Sequence, residues 1–306
     1  MLNQNDGRVR RLGYMHARSD GKVDFKTMSE PCSTKVLTEL NEIITVVFEL
    51  QPVIFAFQIV ERNHAALHST LQDQQVELET YQYASFEKLH DALVDTARQV
   101  TNFLASVSSF LDQTDALIKR IWGEKSLEAA AWKRKTHDLY DLRFSYRFLY
   151  QLRHFAQHTA LPLTDIAVKG KRSSAEKPMA FDITVPITRD ALLNETFKWK
   201  PEVRSEIEGQ PDSFLLLPLI DEHMDSVGRL CLEVIDLQSP RLLECVRYME
   251  AVNRTLQAPQ GALPVLVVGN PPSLDQATKL EFIPMAELNR VIRVYNERKT
   301  SSAELG

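Results

Sequence analysis

The feature that most restricts the fold is a long stretch, from Ser33 to His158, in which helix breakers are almost absent. Glycine occurs in it only at Gly123 and proline only at Pro52, while apolar residues recur every three or four positions. This spacing places apolar side chains on one face of a helix. We therefore expect long helices that bury these faces against one another in a bundle.

Four helices are predicted in this stretch, bounded by the few breakers and caps that it contains. They cover about residues 34–50, 53–79, 85–122 and 126–161. Pro52 separates the first two, because proline has no N–H to donate inside a helix. Gly123 stops the third helix. Ser126 is a good N-terminal cap for the fourth, and Pro162 terminates it.

The composition changes after Pro162. The segment 167–177 is basic, contains glycine and serine and has no helical period, so it is predicted to be a surface loop. Alternating residues at 180–185 and an apolar run at 263–268 predict short strands. Helical spacing returns over residues 214–256 and 285–296.

These patterns predict a mainly α fold, a long-helix bundle with a small β element in the C-terminal half. Residues 1–32 form an N-terminal extension, with a hairpin predicted around Asp20 and Gly21. Residues 33–162 form the helical bundle. Residues 163–306 form an α-rich C-terminal region with short strands.

Charge limits the classes of function. The 306 residues carry a net charge of −5, which excludes a protein whose whole surface coats nucleic acid. Residues 119–177, however, contain thirteen basic and six acidic side chains, a local charge of +7 that leaves −12 for the remainder. A focused basic segment of this kind can attract a phosphate backbone.

Cysteine usage and hydropathy indicate a cytoplasmic protein. The three cysteines lie far apart and form no CxxC pair, which favours free thiols in a reducing compartment. The longest apolar stretch, residues 43–60, contains Glu49, Gln51 and Pro52. A membrane span is not expected there, because polar groups in hydrocarbon need partners.

Two histidines, His64 and His68, lie one helical turn apart, a spacing that can hold a metal ion. They lack the glutamate of an HExxH motif and an obvious third ligand. Solvated or capping histidines are the favoured interpretation, and neither a metal nor a cofactor is predicted.

The end of the predicted fourth helix carries a polar stripe. Successive residues of a helix are rotated by about 100°, which places several polar side chains toward one side of this helix. These side chains are partly cationic and rich in imidazole: Tyr150, Arg153, His154, Gln157 and His158. Leu149, Leu152, Phe155 and Ala156 lie toward the other side. The alternative interpretation is an ordinary solvent-exposed helix face without a functional role, which explains the same pattern.

The hexapeptide Arg153-His154-Phe155-Ala156-Gln157-His158 resembles the R-x4-6-H motif of the HEPN superfamily. A polar residue follows the arginine, and the motif lies near the end of a late helix in a helical bundle, as in that family. The resemblance covers the helical part, residues 33–158. It implies a metal-independent endoribonuclease, of a kind that includes toxins and effectors of antiviral defence.

The resemblance implies that His158 is the general acid or base and that Arg153 holds the phosphate. Histidine has an unperturbed pKa of about 6.5 and can move protons near neutral pH, and an arginine fork can bind two phosphate oxygens. The remaining side chains predicted to bind or orient substrate are His154, Gln157, Tyr150, Arg147, Lys169, Lys171 and Arg172.

The expected partners are RNA, a second copy of the chain and a regulatory or antitoxin partner. Arg153 and His158 are five positions apart, which places them about 140° apart on an ideal helix. A two-fold dimer would bring two copies of each to one cleft. The alternative function is a helical interaction or regulatory protein without catalysis, which explains the long amphipathic helices equally well.

Overall fold

The structure is a computed structural model that describes residues 8–81, 85–159, 163, 165–172, 178–193, 197–269 and 279–304, with side chains up to residue 300. It confirms the predicted fold class: the chain is mainly helical, with long helices and a small amount of sheet. The helices of the described residues are α1 Thr34–Tyr81, α2 Phe86–Trp122, α3 Leu127–Leu142, α4 Phe144–His158, α5 Arg189–Leu193, α6 Pro201–Glu208, α7 Leu217–Leu256 and α8 Met285–Glu304. The strands are β1 Arg10–Ala17, β2 Val23–Thr27, β3 Ala167–Lys171, β4 Ala180–Thr184, β5 Pro186–Thr188, β6 Ser213–Leu215, β7 Leu263–Val268 and β8 Lys279–Phe282.

The chain forms two compact units. The first comprises the residues up to Ile54 and those from Val234 onward, and the second runs from Phe55 to Glu233.

The first unit contains an antiparallel sheet of four strands in the order β2-β1-β7-β8. Strands β1 and β2 form the N-terminal hairpin, and Gly21 in its turn has a φ of 79°, a conformation that favours glycine. The apolar run of β7 is buried after its first residue. Arg10 on β1 is buried and lies 2.9 Å from Glu281 on β8. Burial raises the pKa of Glu281, but hydrogen bonds from Arg10 and Lys279 outweigh it and lower the pKa below its ordinary value.

The second unit contains the helical bundle in which α2, α3 and α4 pack together. Helix α2 has the caps that the sequence predicts, because the Ser85 hydroxyl accepts a hydrogen bond from the Lys88 amide and Gly123 follows the last turn with a φ of 92°. Ser126 likewise accepts from the Ala129 amide at the start of α3. The same unit holds two hairpin-like pairs, β3 with β4 and β5 with β6.

Helix α1 continues through Pro52, so the prediction of two helices separated there is wrong. An interior proline costs about 3 kcal/mol because it removes a hydrogen bond and its ring crowds a carbonyl. Leu50, Val53 and Ile54 on both sides of it are almost fully buried. Their packing offsets this cost, and packing is not visible in helix propensity.

The predicted fourth helix is two helices, α3 and α4, which meet at Arg143. Arg143 has φ −124° and ψ 118°, an extended conformation that interrupts the helix. Its guanidinium lies 3.5 Å from the Glu222 carboxylate, and the Arg147 guanidinium donates to the carbonyl of Tyr140 near the end of α3. Because carbonyls at a helix end lack partners within the helix, this donation stabilises the break. Neither glycine nor proline marks the position.

Part of the predicted basic loop is a strand. Residues 167–171 form β3, whose Ala167 pairs with Thr184 of β4 in an antiparallel register. The strands predicted at 180–185 and 263–268 are confirmed as β4 and β7. The rest of the predicted loop, residues 173–177, and the predicted helix end at 161–162 lie outside the described residues.

Among the described residues, one helix, α1, is long and apolar enough to cross a bilayer. Of the 18 residues that meet this criterion, 56% are buried within the protein. A core helix has the same length and composition, so this property assigns no compartment.

An aromatic cluster fixes the inner face of α4. Phe155 stacks on Trp199 at 5.3 Å between ring centroids, and Phe148 stacks on the same indole at 6.0 Å. Phe197 contacts both Phe155 and Trp199 edge to face. The indole N–H donates to the Leu192 carbonyl at 2.9 Å, so the polar atom of this buried ring is satisfied.

Replacing Phe155 by alanine should destabilise the protein by about 3–5 kcal/mol, since the change leaves a cavity among stacked rings. Urea unfolding followed by circular dichroism measures this loss. Phe86→Ala is the matched control, because Phe86 is 87% exposed and its loss should change the midpoint little. Equal midpoints for the two variants would show that the cluster does not stabilise α4.

A second buried group in this unit is His223 of α7. Its ring lies 5.0 Å from the Tyr146 ring and 6.2 Å from the Phe103 ring. The side chain is 2% exposed, and its Nδ1 has no hydrogen-bond partner within the described residues. Burial lowers the pKa of His223 to about 3, so the native protein holds this imidazole neutral.

Stability should therefore fall as the pH drops from about 6.5, the ordinary histidine pKa, toward 3. In this window the unfolded chain binds a proton at His223 that the native chain does not, which favours unfolding. Urea midpoints measured across this range should fall less steeply for His223→Leu than for the native chain. His90→Ala, which removes an exposed histidine, should keep the original slope. A native-like slope in His223→Leu would contradict the assignment.

Candidate active site at the end of helix α4

Helix α4 presents the polar stripe that the sequence predicts at its C-terminal end. Leu149, Leu152 and Phe155 are buried at 1% exposure or less, as expected for the inward face. On the other side of the helix the predicted site residues are partly or fully exposed: Tyr150, Arg153, His154, Gln157 and His158. The helix ends at His158, with Thr159 as its C-terminal cap.

Arg153 is partly buried, and its guanidinium has an unused donor. The Nε atom is inaccessible to solvent and has no hydrogen-bond partner among the described residues. Such a donor is costly to bury unless a ligand accepts from it. The side chain as a whole is partly exposed, so its Nε could reach an anionic ligand after a change of rotamer.

The pKa of His154 depends on both motif residues, Arg153 and His158. Its pKa is lowered, first by burial and then by the positive charges of Arg153 and His158. Its ring also contacts Tyr150, with 5.6 Å between the centroids. The lowered pKa favours the neutral imidazole, the form that can accept a proton.

His158 is exposed in the last turn of α4, four residues after His154. Residues at this spacing lie on the same face of a helix. Arg153 and His158 are five residues apart and diverge by about 140°, but both act on the pKa of His154. The structure thus brings Arg153, His154 and His158 into one charged cluster.

Arg147 has a different role from the predicted one of substrate ligand. Its Nε donates to Glu206 of α6 at 3.0 Å, and its Nη1 donates to the Tyr140 carbonyl. The side chain is 12% exposed. These bonds occupy the guanidinium, so Arg147 holds α3, α4 and α6 together.

The predicted basic rim is a strand rather than a loop. Lys169 and Lys171 are exposed on β3, and Arg172 is exposed directly after it. Alternation along a strand places Lys169 and Lys171 on the same face. Lys177, the last residue of the predicted rim, lies outside the described residues.

Much of the local charge of +7 is compensated within the fold. Several basic residues of the segment 119–177 have acidic partners, three of which come from later in the chain: Lys119 with Asp115, Lys135 with Glu233, Arg143 with Glu222 and Arg147 with Glu206. The charge count therefore overstates the positive surface. The cationic contribution to the site comes from Arg153.

A cleft of about 500 Å³, which the sequence did not predict, is bordered by Tyr150. Trp132 and Tyr140 form its aromatic walls, and Asp112 and Asp141 contribute acidic groups. The ring of Tyr150 lies 6.5 Å from that of Tyr140 and also contacts His154. The cleft can hold a planar ring, while its carboxylates disfavour a phosphate.

His64 and His68, predicted to be solvated or capping residues, both contact Asp221 of α7. One potential ligand atom from each of the three residues lies within 4.8 Å of the other two, so this group could hold a metal ion. Asp221 is 157 positions from His64, so no motif spacing could have revealed it.

Comparison with protein families, with curated proteins and with solved structures gives no match. The function must be argued from the chain's own residues and from the motif at the end of α4.

We expect the His154 ring to titrate below the ordinary histidine pKa of about 6.5, and Arg153→Gln to raise that pKa. The rise should be partial, because burial contributes more than charge. NMR titration of the imidazole ring carbons measures both values. Arg134→Gln, a change at an exposed arginine of α3, is the matched control and should leave His154 unchanged. A native pKa at or above the ordinary value would contradict this geometry.

Proposed function

We propose that the protein is a HEPN-type endoribonuclease that cleaves RNA through attack of the 2′-hydroxyl on the neighbouring phosphate. The observation that carries the proposal is the cluster at the end of α4. It combines an arginine Nε that has no hydrogen-bond partner among the described residues, an imidazole whose pKa is lowered by burial and neighbouring charge and a second, exposed imidazole.

These residue types suit the reaction, because RNA supplies its own nucleophile. His154 accepts the proton of the 2′-hydroxyl as its oxygen attacks phosphorus, and His158 donates a proton to the 5′ oxygen as the P–O5′ bond breaks. Arg153 binds the phosphate oxygens as their negative charge grows. The products are a 2′,3′-cyclic phosphate and a 5′-hydroxyl, and none of these steps requires a metal ion.

The aromatic cleft beside the cluster supports an unpaired substrate. A base that stacks on Tyr150 would lie next to His154, because Tyr150 borders the cleft and contacts that histidine. Aromatic stacking of unpaired bases is typical of RNA recognition. Lys169, Lys171 and Arg172 are proposed contacts to the phosphate backbone, and Gln157 is a proposed substrate contact at the helix end.

A homodimer fits the angular separation of the motif residues. Arg153 and His158 diverge by about 140° on one helix, so a two-fold axis near the end of α4 would let each chain complete the other's site. A regulatory or antitoxin partner remains part of the proposal, as the HEPN resemblance implies.

The test is incubation of mixed single-stranded RNA with the protein in EDTA. Cleavage by the native chain should leave cyclic phosphate ends. His154→Ala and His158→Ala should each slow it by about 10²- to 10⁴-fold, the usual range for acid–base groups, and Arg153→Ala should slow it by about 10²- to 10³-fold, the range for a donor to developing negative charge. An oligonucleotide with 2′-deoxyribose throughout should stay intact, because it lacks the nucleophile.

The matched controls are Arg134→Ala and His90→Ala, which remove exposed residues outside the cluster and should cleave at the native rate. Mixing Arg153→Ala with His158→Ala should restore part of the activity if two chains build one site. Intact RNA under all conditions would instead favour the helical interaction protein, and cleavage that survives the three substitutions would show that this cluster is not the active site.

A further inference from the structure

His64 and His68 of α1 point their rings at one carboxylate. The Nε2 atom of His64 lies 2.7 Å from Oδ1 of Asp221, and the Nε2 atom of His68 lies 2.8 Å from the same oxygen. The two rings meet edge to face, with 4.7 Å between their centroids. Three donor atoms from two helices therefore converge on one point.

The two helices hold these donors close together. His64 and His68 are four residues apart in an unbroken helix, which puts both on one face, and the His64 ring lies 5.9 Å from the buried Phe103 ring. All three donor atoms lie within 4.8 Å of one another. Ligands about 2.0–2.1 Å from a tetrahedral zinc ion are roughly 3.4 Å apart, so small side-chain rotations suffice to surround a cation.

The cluster is accessible from solvent. The side chains of His64, His68 and Asp221 are 24%, 44% and 48% exposed. An ion can reach the donors directly, and the carboxylate charge contributes to its attraction. The nearby basic residue Arg143 forms an ion pair with Glu222, the residue that follows Asp221, with 3.5 Å between guanidinium and carboxylate.

We propose that His64, His68 and Asp221 form a binding site for a divalent transition metal, with zinc as the best fit. Two imidazoles and one carboxylate suit zinc, copper or nickel, whereas magnesium and calcium prefer oxygen ligands. Three protein ligands leave a coordination position for water. The site shares no residue with the proposed RNA-cleaving cluster and goes beyond that function.

Metal binding would join α1 to α7 through residues that are 157 positions apart in the chain. Since the unfolded chain does not hold the three donors together, bound metal stabilises the folded state. The site thus acts as a cross-link between α1 and α7 within the second unit, which contains all three ligands.

The test uses the full chain, treated with EDTA and then freed of the chelator. Titration with zinc chloride in a calorimeter should show one ion per chain, and cobalt chloride should give the visible absorption bands of a tetrahedral site. His68→Ala and Asp221→Asn should weaken zinc binding by at least roughly tenfold, since even the loss of an outer-shell partner weakens metal sites by 10- to 100-fold.

His90→Ala is the matched control, because it removes an exposed histidine of α2 and should bind zinc like the native chain. Circular dichroism shows whether the variants are folded. Zinc binding by the native chain that is no tighter than that of folded Asp221→Asn would overturn the proposal, as would cobalt spectra without tetrahedral bands. RNA cleavage in EDTA is scored separately and does not depend on this result.

Discussion

The packing of α4 onto Trp199 is the interaction on which the candidate active site depends. Phe148 and Phe155 stack on the indole. The side chain of Gln151 accepts a hydrogen bond at 2.9 Å from the backbone amide of Lys200, the residue that follows Trp199. These contacts fix the rotation of α4 about its axis. Because Arg153 and His154 follow the same helical period as the buried residues, their position is a consequence of that packing.

The sequence predicted helices well where local signals exist and poorly where tertiary contacts decide. The third predicted helix agrees with α2 because Ser85 and Gly123 act as caps on the chain itself. Pro52 predicts a helix end, but burial of its neighbours keeps α1 continuous. The break at Arg143 was missed because ion pairs and a carbonyl contact stabilise it, and such contacts leave no local pattern.

For the candidate site as well, local sequence pattern predicts where the side chains lie on the helix, whereas tertiary contacts decide their electrostatics. Helical periodicity placed Arg153, His154 and His158 on the exposed side of α4, but the shift in the pKa of His154 follows from burial, which periodicity does not measure. The count of charge along the chain suggested a basic patch at 119–177. The fold supplies acidic partners from distant segments, as Glu206 does for Arg147, and sequence order gives no warning of such pairs.

The bond between Arg147 and Glu206 also restricts how this chain can evolve. The arginine is 12% exposed and the glutamate 31% exposed, so losing either residue alone leaves a largely buried charge without a partner, a change that usually destabilises strongly. Arg147 in addition donates to the Tyr140 carbonyl at the junction of α3 and α4. Substitutions at positions 147 and 206 are therefore energetically coupled, and a change at one should be tolerated better when the other changes with it.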